Sequence, residues 1–123
     1  MAKINCLDTY ALVEIYYGNS KFLDYLNHDF VITELTLAEF YGVLYREKGK
    51  DEADLWFKKL QAYSVVVDKE TLIEAIAFRY ENRKKNLSFF DCVGYIFSLK
   101  KSYPFVTGDK EFENLPFVEF IKK

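Results

Sequence analysis

The sequence predicts an α/β fold: a doubly wound sheet of four to five mostly parallel strands flanked by helices. Three observations lead there. Short apolar stretches rich in β-branched and aromatic residues recur along the chain, as in "FVIT", "SVVV" and "PFVT". Between them run longer stretches with apolar residues at helical spacing. Such alternation requires crossover connections, which make the strands parallel and cover both faces of the sheet. At 123 residues, half of them hydrophobic and 19% aromatic, the chain suits one domain over residues 1–123 with a substantial core.

The elements follow in order. "AKINCLD" reads as the first strand, with Ile4, Cys6 and Leu7 apolar and Asp8 closing it. "TYALVEIYYG" has helical spacing at Leu12, Ile15 and Tyr16, and Gly18 stops it. "SKFLDYLN" reads as a second short helix with Phe22, Leu23 and Leu26 on one face. "DFVIT" is the second strand. The helix "TLAEFYGVLYREKG" turns Leu37, Phe40, Tyr41 and Leu44 to one side and stops at Gly49. "DEADLWFKKLQAY" is another helix, carrying Leu55, Trp56 and Leu60. "SVVVD" is the third strand, read as buried on both faces. "KETLIEAIAFRYENRKK" is strongly amphipathic, with Leu72, Ile73, Ile76, Ala77 and Tyr80 on one stripe. "SFFDCVGYIFSLKKS" is the last helix, "YPFVT" the fourth strand and "FVEFI" the fifth. No repeat, linker or low-complexity tract interrupts them.

Composition narrows the function. Charged residues make up 29% of the chain and the net charge is −2, so bulk electrostatics does not advertise a nucleic-acid binder. Any such contact needs a local basic patch, and the candidates are Lys84 with Lys85, Lys100 with Lys101, and Lys110. No run of about 18 apolar residues marks a transmembrane helix, and "MAKINCLDTY" lacks a signal peptide's apolar stretch. The expectation is a cytoplasmic protein with no membrane association. Its two cysteines, Cys6 and Cys92, are then reduced and structural, and neither has a CxxC partner for zinc. The abundance of Phe and Tyr suggests exposed rings that meet a partner or a second copy.

Four acids stand out. Asp8 ends the first strand and Asp109 follows the fourth. Glu39 reads as the first turn of the helix after the second strand, and Asp91 as the first turn of the helix before the fourth. A helix that returns to begin a parallel strand has its N-terminus at the sheet's carboxyl edge, where such folds bind ligands. All four acids can converge there. Each alone has a plain structural use. "TLAE" (36–39) and "SFFD" (88–91) fit capping boxes, Asp8 fits an N-cap, and Asp109 fits a turn. Capping does not, however, require four acids at one end of one sheet. Carboxylates packed together repel unless a cation neutralises them, and hard oxygen ligands select Mg²⁺ or Mn²⁺. Other catalytic equipment is missing. The only histidine, His28, reads as a surface turn residue, and neither GxxxxGK[ST] nor GxGxxG occurs. An enzyme built on this chain would use carboxylates and metal, which points to phosphodiester hydrolysis.

"INCLDTYALVEIYYG", "TLAEFYGVLYR", "LSFFDCVGYIFSLKKSYPFVTGDKEF" and "VEFI" together resemble the PIN domain, especially the single-domain toxins of VapBC toxin–antitoxin pairs. The resemblance spans nearly the whole chain. It implies a PIN-like sheet and a Mg²⁺- or Mn²⁺-dependent ribonuclease with Asp8 and Asp91 as principal metal ligands. Glu39 and Asp109 would complete the site, partly through water. Thr107 and Thr9 match small polar positions near the site, and Glu113 would support it from the next turn. The resemblance also implies an RNA substrate, a homodimer and inhibition by a cognate antitoxin. Lys100, Lys101 and Lys110 are the cations expected to contact RNA. Two features depart from the pattern: Tyr10 stands where many relatives carry Asn, and the helix after Asp91 is more aromatic than usual. They bear on substrate and subgroup, since no acid is lost.

Three other functions compete. One is an RNA-processing PIN nuclease outside any toxin pair. Another is a non-catalytic interaction module with the same fold, which has no use for four clustered acids. A response-regulator-like receiver domain needs paired acids after the first strand, whereas here Thr9 follows Asp8 and Asp68 lies in the wrong context.

Overall fold

The computed structural model describes residues 3–123; Ala2, the start of the "AKINCLD" segment, lies outside them. Five strands form one sheet: β1 (Asn5–Leu7), β2 (Phe30–Thr33), β3 (Ser64–Val65), β4 (Phe105–Thr107) and β5 (Val118–Phe120). Their order is β3-β2-β1-β4-β5, and every neighbouring pair is parallel. The chain winds outward from β1 to β3, then returns to place β4 on β1's other side. The topological switch therefore falls between β1 and β4, where open α/β sheets form a binding crevice.

Six helices complete the fold: α1 (Thr9–Tyr16), α2 (Ser20–Leu23), α3 (Glu34–Lys48), α4 (Lys50–Leu60), α5 (Lys69–Glu81) and α6 (Phe89–Lys101). Gly18 and Gly49 follow α1 and α3 with φ of +81° and +94°, a conformation that favours glycine and ends each helix. One core cluster joins Leu7, Leu12, Ile15, Phe22, Ile32, Phe40 and Leu44. A second lies around Cys6, Val93, Tyr95, Phe105 and Phe112. There the rings of Tyr95, Phe105 and Phe112 meet at centroid distances of 5.3–5.7 Å, and each such pair adds roughly 0.5–1.5 kcal/mol beyond its buried area. α6 approaches the sheet closely at Gly94, where a Cβ would come within 3.0 Å of Phe105. Cys6 and Cys92 are buried and unpaired; burial raises both thiols, Cys92 to about 11, which keeps them unreactive. His28 is exposed beside Asp24. Among the described residues, no helix is long and apolar enough to cross a membrane.

Four local expectations are corrected. The third strand is a two-residue edge strand, half-buried and not enclosed, and Val66 beyond it is 80% exposed. Its hydrogen bonds go to β2 alone, so apolar character there reflects β-propensity and not burial. Val66→Lys should accordingly shift stability by less than about 0.5 kcal/mol in denaturant titration, whereas Val67→Lys, at a site 7% exposed, should unfold much of the protein. The short second helix loosens into a 3-10 turn at Asp24–Asn27, leaving Leu23 and Leu26 exposed. α3 begins at Glu34 and not near Thr36, because Thr33 ends β2 and caps the helix directly: Thr36 N–H donates to Thr33 Oγ1 at 3.1 Å. Finally, the apolar stripe of α5 is not its buried face: the helix buries Thr71 and Ala75, Leu72 alone of the stripe packs on the second core cluster, and Ile73 is 70%, Ile76 54% and Tyr80 66% exposed.

Candidate active site

Asp8 leaves β1 and caps α1. Its Oδ1 accepts from Ala11 N–H at 2.8 Å, and its own N–H donates to Val106 O across to β4. The residue is fully buried, and Oδ2 has no hydrogen-bond partner. Capping thus uses one oxygen and leaves the other buried and unpartnered. Asp91 repeats the pattern. Its N–H donates to the capping Ser88 Oγ at 3.1 Å, yet its side chain does not reach back to complete a capping box, and buried Oδ1 is also without a partner. A buried carboxylate oxygen with no partner is costly, and two of them on charge-coupled acids call for a reason other than folding.

Glu39 lies in the second turn of α3, a consequence of the earlier helix start, and cannot cap it. Its Oε1 instead accepts from the hydroxyl of Thr9, the first residue of α1. Asp109 caps the 3-10 turn Lys110–Phe112 through Glu111 N–H at 3.0 Å, while its own N–H donates to Thr107 Oγ1 at 3.0 Å. Both threonines named from the sequence therefore hold an acid in place. Thr107, fully buried, also eases the charge on Asp8 without giving Oδ2 a well-formed hydrogen bond.

The electrostatics show that the four acids are neighbours. Burial, then Asp91 and Asp109, push the Asp8 carboxyl well above its ordinary range. Burial, then Glu39, push Asp91 up to about 7, with a further contribution from Asp109 and partial relief from Ser88. Strong perturbation by burial and like charge together makes Asp8 and Asp91 candidates for a functional site. Among the described residues, no three Asp, Glu, His or Cys side chains form a ready-made cage for an ion. The donor set suits a hard cation that keeps several waters and takes one or two carboxylates, which is the habit of Mg²⁺. Asp8 Oδ2 and Asp91 Oδ1 are the two buried carboxylate oxygens without a hydrogen-bond partner among the described residues.

Other named residues lie elsewhere. Glu113 is exposed at the end of the 3-10 turn and is not among the groups that chiefly shift Asp8 or Asp91. Lys100 sits roughly 14 Å along α6 from Asp91, paired with Glu74 at 3.0 Å and donating to Thr71. Lys101 lies 6.0 Å from the Phe97 ring. Only Lys110 adjoins the acids. A cavity of about 620 Å³ between α3 and α4 is lined by Leu37, Tyr41, Asp54 and Phe57 and by none of the four acids. The sequence reading missed the contact of Tyr10 with Gly108, where a Cβ would come within 2.2 Å of the ring. No local signal reports such a contact; the departure at Tyr10 was the only hint.

A parallel sheet with buried carboxylates at its topological switch has the layout in which open α/β folds bind ligands, at the carboxyl edge of the strands. A sequence profile of the PIN domain matches residues 6–118, and the chain belongs to the PIN domain family. The fold is shared with solved toxin structures. VapC20 of Mycobacterium tuberculosis, described as a toxin cleaving the sarcin–ricin loop, is 18% identical with a TM-score of 0.78, over 95% of this chain and 98% of that one. The DNA-bound VapBC of Salmonella typhimurium is 18% identical with a TM-score of 0.74, over 98% of each chain. A toxin–antitoxin complex from Klebsiella pneumoniae is 15% identical with a TM-score of 0.73, over 94% and 95%. No curated protein matches the sequence.

Proposed function

We propose that this chain is a Mg²⁺- or Mn²⁺-dependent ribonuclease acting as the toxin of a toxin–antitoxin pair. The observation that carries the proposal is the pair of partnerless carboxylate oxygens, on Asp8 and Asp91, buried at the switch point of a PIN domain. Asp8 and Asp91 would hold the cation, with Glu39 and Asp109 beside them. When bound, the ion lowers the pKa of a water for attack on phosphorus and stabilises the leaving oxygen. The chain's own part is positional. The first turns of α1 and α6 fix Asp8 and Asp91, Thr9 holds Glu39, and Thr107 holds the backbone of Asp109. Family membership supports the nuclease class. The toxin reading rests on structural neighbours solved as toxins and toxin–antitoxin complexes, and the partner it implies is a cognate antitoxin. A homodimer would give the outward stripe of α5 an apolar partner.

The test incubates the purified chain with end-labelled RNA, with Mg²⁺, with Mn²⁺ and with EDTA, and records melting curves on the same samples. Cleavage should appear only with metal, and saturating metal should raise the melting temperature by linkage. No cleavage combined with an unmoved melting temperature would support a non-catalytic module instead.

A further inference from the structure

We infer, resting on the nuclease reading, that the end of α5 and the α5–α6 loop form the surface that grips phosphates of a single-stranded RNA segment beside the scissile bond. A polyanion entering the acidic crevice needs flanking cations, and the chain as a whole, at −2, does not supply them. Arg79, Arg83, Lys84 and Lys85 lie together there, interrupted only by Glu81 among the acids. Among the described residues, none of these four pairs with a carboxylate, whereas Lys3, Lys50, Lys100 and Lys123 all do.

The cluster is also fastened to both sides of the site. Lys85 Nζ donates to Glu111 O at 3.2 Å, and Glu111 N–H is the donor that Asp109 Oδ1 accepts. Arg79 Nε donates to Leu87 O at 2.8 Å, one residue before the Ser88 that caps α6 ahead of Asp91. Lys110, next to Asp109 and exposed, adds a further cation beside the Glu111 to which Lys85 is bonded. Single-stranded substrate is favoured by the rings at hand. Arg83 stacks 4.5 Å from the Tyr80 centroid, and Phe90, beside Asp91, is 37% exposed; cation-backed aromatic faces accept any unpaired base. This assigns the phosphate contacts to Arg83, Lys84 and Lys85, and not to Lys100, which is already paired with Glu74 and bonded to Thr71.

The test measures fluorescence anisotropy of labelled single-stranded RNA in an Asp91→Asn background with Mg²⁺, across a salt series. The variant removes Arg83, Lys84 and Lys85 to Ser; a control removes Lys48, Lys58 and Lys59 to Ser. Arg79 is left intact because it anchors the loop. The site variant should lose at least tenfold in affinity and flatten the salt slope by about 2, the value for three phosphate contacts on a single strand. The control should lose less than threefold. Lys84→Glu alone, at an exposed side chain without contacts, should weaken binding with an unchanged melting temperature, which separates loss of grip from loss of fold. Equal losses in variant and control would overturn the assignment while leaving the nuclease reading intact. An acidic polypeptide that binds as tightly as RNA through the same lysines would overturn it in favour of a protein partner. Absence of RNA binding by the background protein at low salt would remove the nuclease reading and this inference together.

Discussion

Asp91→Asn should give a protein that no longer cleaves RNA yet melts at a higher temperature than the original chain, both in EDTA at pH 8. The loss of activity follows from removing one of the two partnerless oxygens proposed to hold the cation. The gain in stability follows from the same geometry. In the folded chain Asp91 is pushed to about 7 from its ordinary 3.8, first by burial and then by Glu39. The folded state therefore binds this proton more tightly than the unfolded state does. Between pH 3.8 and 7 the unfolded chain holds fewer protons, so stability falls as pH rises through this window and is flat above it. A rise from 3.8 to about 7 corresponds to at most ~4 kcal/mol. Since Asp91 is not fully enclosed, about half of that is expected to be recovered by the neutral amide. That is roughly 2 kcal/mol, or on the order of 5 °C in melting temperature for a domain of this size. Urea titrations at pH 4.5, 6 and 8 would measure it, with the two proteins converging at the acid end. An Asp91→Asn protein that cleaves at the original rate would sink the site. One that is inert but less stable at pH 8 would show that Asp91 serves the fold.

Most of this architecture was legible because burial and backbone demand agree at the positions that set it. β1, β2 and β4 carry apolar residues where both faces are covered, and α1 and α3 place theirs at helical spacing against them. The failures have a common cause. Periodicity tells which residues share a face but not which face meets the core. On α5 it puts Ile73, Ile76 and Tyr80 on one face, yet Thr71 and Ala75 are the residues that the fold buries. "SVVV" has the composition of a central strand, yet only tertiary pairing decides that it lies at an edge.

The acids were visible for a similar reason. Asp8, Asp91 and Asp109 sit at strand ends and helix starts, which sequence marks well, and the sheet's topology gathers those ends. Glu39 was reached through a mistaken cap at Thr36, although its helix does bring it to Asp91. What the sequence could not convey is occupancy. Lys84–Lys85 and Lys100–Lys101 look alike on paper, and only the fold shows Lys100 already committed to Glu74.

Gly108→Ala should damage the site through the ring of Tyr10 on α1. Gly108 lies between Thr107 and Asp109, and a Cβ there would come within 2.2 Å of Tyr10 Cε1, 2.7 Å of Cδ1 and 2.8 Å of Cζ. Contacts this short cannot persist, so either the ring or the turn must move. Tyr10 is held from behind by Phe22, with ring centroids 6.0 Å apart, and it packs on the core cluster of α1. Expelling it costs part of its buried area; shifting the turn disturbs the bond from Asp109 N–H to Thr107 Oγ1. Either route should cost about 2 kcal/mol, within the usual range for overpacking. Displacing Asp109 should slow cleavage at least tenfold at saturating Mg²⁺. The decisive comparison is with Tyr10→Ala and the double variant. If the damage is steric, Tyr10→Ala relieves it: the double variant should be more active than Gly108→Ala alone, a coupling that separate contributions would not give. Additive losses in the cycle would mean that Gly108 is needed for its backbone and not for the ring that rests on it.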